Sequence, residues 1–176
     1  TSCDKSLPAA LMAAARLNLP TIILPGGPML PGLHEGRELA IYQAREATAK
    51  FYQGEIDADQ LEQIEQHLCP GPGSCSMLGT ANSMACMAEA LGMALPGSAT
   101  THAVDSGKLR EARQCGERIM DLLARDVRPL DIITARSLRN AITVNVAIGG
   151  STNVVLHLLA LAHEANLALD LTSFDA

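Results

Sequence analysis

The stretch from Cys69 to Met84, Cys-Pro-Gly-Pro-Gly-Ser-Cys-Ser-Met-Leu-Gly-Thr-Ala-Asn-Ser-Met, constrains this chain more than any other. Two prolines and two glycines separate Cys69 from Cys75, so the loop between the thiols is stiff and tightly turned. Past Cys75 the residues become small and helix-compatible, and the run to Leu91 stops at Gly92. The pattern predicts a helix with Cys75 at or just before its N-terminus, where unpaired amides and the macrodipole favour a thiolate over a thiol. A thiolate is the form that binds a metal or an iron–sulfur cluster. The competing reading is an inert cysteine beside a structural turn. For one Cys-x5-Cys pair taken alone, that second reading is the commoner.

The 176 residues suffice to bury a core, and a single domain over 1–176 is the simplest organisation. Because aromatics make up 2% and hydrophobic residues 48%, the core must be assembled from Leu, Ile, Val, Met and Ala. A net charge of −6 with so few aromatics argues against a nucleic-acid partner, which needs a basic face and stacking platforms. No apolar run approaches the ~18 residues of a membrane span, and the basic-then-apolar layout of a secretory signal is not found. Cys3, Cys69, Cys75, Cys86 and Cys115 are odd in number and dispersed, which points to a reducing, cytoplasmic setting rather than a disulfide framework. The abrupt start at Thr1 and a stop soon after a helix give the expectation of a piece of a larger protein.

Taken in order, Ser6 is the expected N-cap of a first helix, with Pro8 in its first turn and its end near Asn18. Thr21 to Leu24 reads as a buried strand of a parallel sheet, running into the glycine-rich loop Pro25–Gly32 where open α/β sheets bind ligands. Residues 37–53 are expected to form a helix. Asp57 with Gln60 is a capping box for the next one. Lys108 to Arg125 places Leu109, Ala112, Cys115, Ile119 and Leu122 on one face, so Cys115, like Cys86 among Met84 and Met87, is expected in the core. Pro129 to Ile133 fits a strand or a turn, and Thr134 caps a helix through Leu138 and Ile142. Val144 to Ile148 reads as a second strand before Gly149-Gly150-Ser151-Thr152-Asn153 and a helix, a loop whose amides suit a carboxylate or phosphate. A plain glycine turn explains that spacing equally well. The fold class expected is α/β, three layers with a small, mainly parallel sheet flanked by helices.

Three motifs together carry a resemblance over essentially the whole chain. They are Cys3-Asp4-Lys5 with Pro8; Cys69-Pro-Gly-Pro-Gly-Ser-Cys75 with Thr80-Ala-Asn-Ser-Met84; and Gly149-Gly-Ser-Thr-Asn153 with Leu156-His157-Leu158. In this order and spacing they resemble the dihydroxy-acid and sugar-acid dehydratase family. Arg128 to Thr134 and Ser137 to Asn140 lean toward the dihydroxy-acid dehydratases of branched-chain amino-acid synthesis. Ala9 and the run Met84 to Leu91 also resemble the aldonate and 6-phosphogluconate dehydratases.

The resemblance implies that Cys3 and Cys75 are two of three cysteine ligands of an iron–sulfur cluster, 2Fe-2S or 4Fe-4S, with Cys69 nearby but not ligating. It implies that Asp4 and Lys5 bind magnesium, Lys5 after its amine is carboxylated by carbon dioxide. Carbamylation turns a cation into an oxygen ligand, which suits magnesium, and it needs a neutral amine. Outside the motif, an ordinary ion pair with Asp4 is the better reading of Lys5. The implied reaction is dehydration of a 2,3-dihydroxy acid to a 2-keto acid, with Gly149–Asn153 near the substrate and the base, a serine, in a C-terminal domain. The first cluster cysteine and further acidic magnesium ligands are expected upstream of Thr1, so this chain alone is expected to be inactive. A homodimer or dimer of dimers is implied for the whole enzyme.

His157 beside the loop is more often a satisfied helix histidine than a site residue, and the other histidines show no zinc spacing. Two other classes stand beside the enzyme: a non-catalytic α/β module holding a phosphate or carboxylate, and a helical interaction domain with buried thiols.

Overall fold

The computed structural model describes residues 1–175. Its elements are α1 (Ser6–Leu17), β1 (Gly32–His34), β2 (Arg37–Leu39), α2 (Gln43–Tyr52), α3 (Ala58–His67), α4 (Thr80–Ala90), α5 (Ser106–Ala124), α6 (Pro129–Ile132), α7 (Ala135–Ala147) and α8 (Asn153–Glu164), then a 3-10 turn at Leu171–Phe174. The fold is mixed but mainly helical.

The core is built around α4. Its sequence of alanines and methionines leaves it apolar nearly all round, and Met84, Met87 and Ala88 are wholly buried. Small residues let α1, α7 and α8 approach closely, while flexible methionines fill the gaps between them. Leu7 and Leu11 of α1, Leu138 and Ala141 of α7, and Leu158 and Leu161 of α8 complete a core that contains no aromatic ring among its fully buried side chains. At the helix end Gly92 takes φ +88°, and the amides of Gly92 and Met93 close back on the Glu89 and Ala88 carbonyls. That is the stop expected at this glycine.

The expected parallel sheet is not found among the described residues. The one sheet is the antiparallel pair β1–β2, and parallel pairing amounts to an isolated bridge between Pro28 and Ser74. Thr21 to Leu24 joins no ladder; its backbone bonds are the single ones from Ile23 N to the Met93 carbonyl and from the Thr1 ammonium to the Leu24 carbonyl. Prolines at 20, 25 and 28 remove donors on both sides of the segment, which limits any ladder there. Val144 to Ile148 is not a strand either. α7 runs through it, because Leu138, Ala141, Ile142 and Asn145 form one buried stripe while Val146 faces outward. The Thr134/Ser137 capping box starts that helix as expected, and Pro129–Ile132 resolves as a single helical turn.

Residues 37–53 divide between β2 and α2. Glu35 and Gly36 both take left-handed φ, the geometry of a two-residue hairpin turn, which pairs His34 with Arg37 and Gly32 with Leu39. The Asp57/Gln60 capping box of α3 is present in both directions. α5 is a helix as expected, yet it lies apart from the main core. Leu109 is 78% exposed and Cys115 only half-buried, while the buried residue is Lys108, bonded to the Ser98 carbonyl and to Glu111. Periodicity defines a face on a helix but not what covers it. No helix among the described residues is long and apolar enough to cross a membrane.

Leu138 is fully buried between α7 and α4. Leu138→Ala is expected to lower unfolding stability by about 2–5 kcal/mol, measured by denaturant titration.

Candidate functional site

Cys3 lies just ahead of α1, and the first turn of that helix is organised around it. Ser6, expected as the N-cap, instead ties back the Cys3 backbone: its hydroxyl accepts from Cys3 N at 3.1 Å and donates to the Cys3 carbonyl at 3.3 Å. The N-cap position falls on Lys5, whose side chain makes no cap. Asp4 therefore stands at the positive end of α1, where a carboxylate is favoured. The Cys3 thiol donates to Asp4 Oδ1 across 3.3 Å. That bond, and more weakly the charge of Lys5, holds the Asp4 carboxyl below its ordinary value against the opposing effect of burial. Lys5 Nζ is 3.7 Å from Asp4 Oδ2, with the amine largely exposed, so the ordinary ion pair is the contact these residues make.

Cys75 reaches the same place from the other loop. Gly73 takes φ +132°, in a region L side chains rarely adopt, and a Cβ there would overlap the backbone of Met29. This close approach allows Ser74 to pair with both neighbours of Pro28: Ser74 N donates to the Gly27 carbonyl at 2.9 Å, and Met29 N to the Ser74 carbonyl at 2.8 Å. The loop thus delivers Cys75 opposite Cys3. Cys3, Asp4, Ser74, Cys75 and Thr80 line one cavity of about 380 Å³. Both thiols are exposed, as is that of Cys69, which is not among the lining residues. Cys75 is not at a helix N-terminus as expected: α4 begins at Thr80 after a separate turn through residues 76–79. The thiol beside a helix start is Cys3.

The Gly149–Asn153 loop docks on the first turn of α4. Ser151 N donates to the buried Ser83 hydroxyl at 2.9 Å, and Asn153 Nδ2 to Thr80 Oγ1 at 2.9 Å, with the Ser151 and Thr80 hydroxyls 3.2 Å apart. Gly149 N and Gly150 N bond the Val146 and Asn145 carbonyls, and Asn153 N bonds Ser151 Oγ. Those amides are engaged within the protein, and the loop reaches the cavity through the Thr80 side chain. Ser6, Thr80 and Ser83 escape a reading based on spacing; their signal is a polar residue inside an apolar, small-residue helix.

On α8, burial foremost and then the charge of Lys5 hold the His157 imidazole below its ordinary value, with Asp4 opposing, and its Nε2 is buried without a hydrogen-bond partner. Among the described residues no three His, Cys, Asp or Glu side chains are close enough to hold a metal by themselves. The donor set is two soft sulfurs and one hard carboxylate, which fits an iron–sulfur cluster beside magnesium but completes neither. Cys86, by contrast, packs on the core, and burial, then the nearby Glu89, pushes its thiol above the usual range. Gly73→Ala is expected to cost about 1–3 kcal/mol of stability by denaturant titration. It is also expected to change the alkylation rate of Cys75 while Cys86 stays slow.

Comparison with known proteins places the chain in a family. Residues 1–176 match the family described as dihydroxy-acid/6-phosphogluconate dehydratase N-terminal. Similar curated proteins include the dihydroxy-acid dehydratases of Moorella thermoacetica, 50% identical over 174 residues, and Methanospirillum hungatei, 51% identical over 174 residues, each match covering 99% of this chain and 32% of the relative. That of Solidesulfovibrio magneticus is 49% identical over 175 residues, 99% of this chain and 31% of the relative. The chain thus spans about a third of the length of the curated relatives it matches. With the family matched from the first residue to the last, the chain belongs to the N-terminal family of dihydroxy-acid and 6-phosphogluconate dehydratases.

Proposed function

We propose that this chain is the metal-binding part of a hydro-lyase that dehydrates a 2,3-dihydroxy carboxylic acid to a 2-keto acid, as the names of its relatives suggest. The observation that carries this reading is the shared cavity of Cys3 and Asp4 with Cys75, which lies far from them in sequence. Cys3 and Cys75 would hold the cluster, and Asp4 with carbamylated Lys5 would hold magnesium. When bound, the cluster supplies a Lewis acid for the departing 3-hydroxyl and magnesium one for the carboxylate and 2-hydroxyl.

The chain's own part is to prepare the ligands. Cys3 must lose its proton to ligate, and that proton points at Asp4 Oδ1. Its loss creates the soft ligand and frees the hard one together. Thr80, fixed by Asn153, offers a hydroxyl at the cavity wall for a substrate oxygen. In the reaction C2 loses a proton and C3 loses hydroxide, and the enol that results tautomerises to the ketone. The base for C2 lies outside this chain, which is why residues 1–176 alone do not turn over substrate. The enzyme works in the cytoplasm as a homodimer or a dimer of dimers.

The intact protein purified without oxygen is expected to be brown, with stoichiometric iron and sulfide, and to dehydrate 2,3-dihydroxyisovalerate. Cys3→Ser and Cys75→Ser are each expected to remove most of the iron. Isolated residues 1–176 are expected to give no turnover in the same assay. A colourless, iron-free intact protein would refute the reading.

A further inference from the structure

We propose that Asn82 is a positioning residue for Cys75, holding the loop that presents this thiol to the cavity it shares with Cys3. The inference rests on the dehydratase reading and deepens it. Asn82 lies in the first turn of α4, and its side chain points back toward the loop rather than along the helix. Nδ2 donates to the Cys75 carbonyl at 2.7 Å and to the Met77 carbonyl at 2.6 Å, while Oδ1 accepts from the Ser74 hydroxyl at 2.5 Å. The amide orientation follows from its partners. Two carbonyls can only accept, so the edge facing them must be the NH2 group, and the opposite oxygen takes the hydroxyl proton.

These bonds divide the anchoring of Cys75 between two supports. The peptide before it is held by the Gly27–Met29 segment through Ser74. The peptide after it is held by Asn82, helped by the bond from Met77 N to the Cys75 carbonyl at 2.8 Å. Cys75 itself is exposed, so side-chain packing does not fix its sulfur. Without Asn82 the turn through residues 76–79 loses the tie to the helix that bears it. Groups that orient a ligand from behind contribute roughly 10–100-fold to metal retention. Alanine is a better helix former than asparagine, so Asn82→Ala removes the clamp without weakening α4. Asn82→Asp is nearly isosteric and sets an oxygen against two carbonyls.

The test uses the intact protein purified anaerobically. Iron and sulfide content, the electron paramagnetic resonance spectrum of the reduced cluster, the rate of cluster loss to a chelator and the thermal midpoint of the apoprotein are measured for wild type, Asn82→Ala and Asn82→Asp. Both variants are expected to lose the cluster about 10–100-fold faster and to show a shifted spectrum, with the apoprotein of Asn82→Ala melting at the wild-type temperature. Wild-type spectra and loss rates in both variants would overturn the inference and leave the dehydratase reading standing. Faster loss matched by an equally lowered melting point in Asn82→Ala, with an unchanged spectrum, would also overturn it, since the role would then be structural. Should neither variant fold, Asn82→Ser decides: a faster loss than wild type supports the clamp, and the wild-type rate overturns it. A wild-type protein without any cluster removes both readings together.

Discussion

The burial of one helix, α4, is the constraint on which the rest of the structure depends. A helix covered on nearly every side by α1, α7 and α8 has little freedom to shift or tilt, because a packed interior tolerates few voids. Its first turn is therefore a fixed point from which loops can be hung. Thr80 and Ser83 take the Gly149–Asn153 loop, and Asn82 takes the Cys75 loop. α1, packed on the same helix, carries Cys3 and Asp4 at its start. The Cys3 and Cys75 segments meet at one cavity because each is referred to the same rigid body, and the Gly149–Asn153 loop reaches it through Thr80.

The chemistry of the site follows from what stands side by side there. Sulfur and carboxylate oxygen suit different metals, and here consecutive residues supply one of each, joined by a hydrogen bond from thiol to carboxylate. A single proton between them links the state of both. The position ahead of α1 favours the carboxylate form of Asp4, and both cysteines at the cavity are exposed. By contrast Cys86, half-buried against the core and beside Glu89, has its thiol held neutral. Thiols of identical chemistry are thus sorted by environment, Cys3 and Cys75 exposed at the cavity and Cys86 packed against the core.

Local rules located the helices, their stops and the thiol-bearing loops. Asp57 with Gln60, Thr134 with Ser137 and Gly92 after α4 act over three or four residues, so a linear reading finds them. The hydrophobic composition likewise foretold a core of aliphatic side chains and methionine. The same local reasoning erred where β-branched content was taken for strand. Val144 to Ile148 has strand propensity, but the buried stripe of α7 and its contact with α4 outweigh it. It also erred at Ser6, whose hydroxyl found the Cys3 backbone rather than the helix amides.

The sequence by itself determined the family, the aliphatic core and the identity of Cys3, Asp4 and Cys75 as a candidate group. Only the tertiary structure decided that they face one cavity, that Cys3 rather than Cys75 sits at a helix start, and that Asn82 and Ser6 hold the two cysteine backbones. The reason is physical. Propensities, caps and turns are set by neighbours a few residues away, whereas a hydrogen bond from Asn153 to Thr80, or the approach of Gly73 to Met29, depends on how packed helices bring distant backbone together.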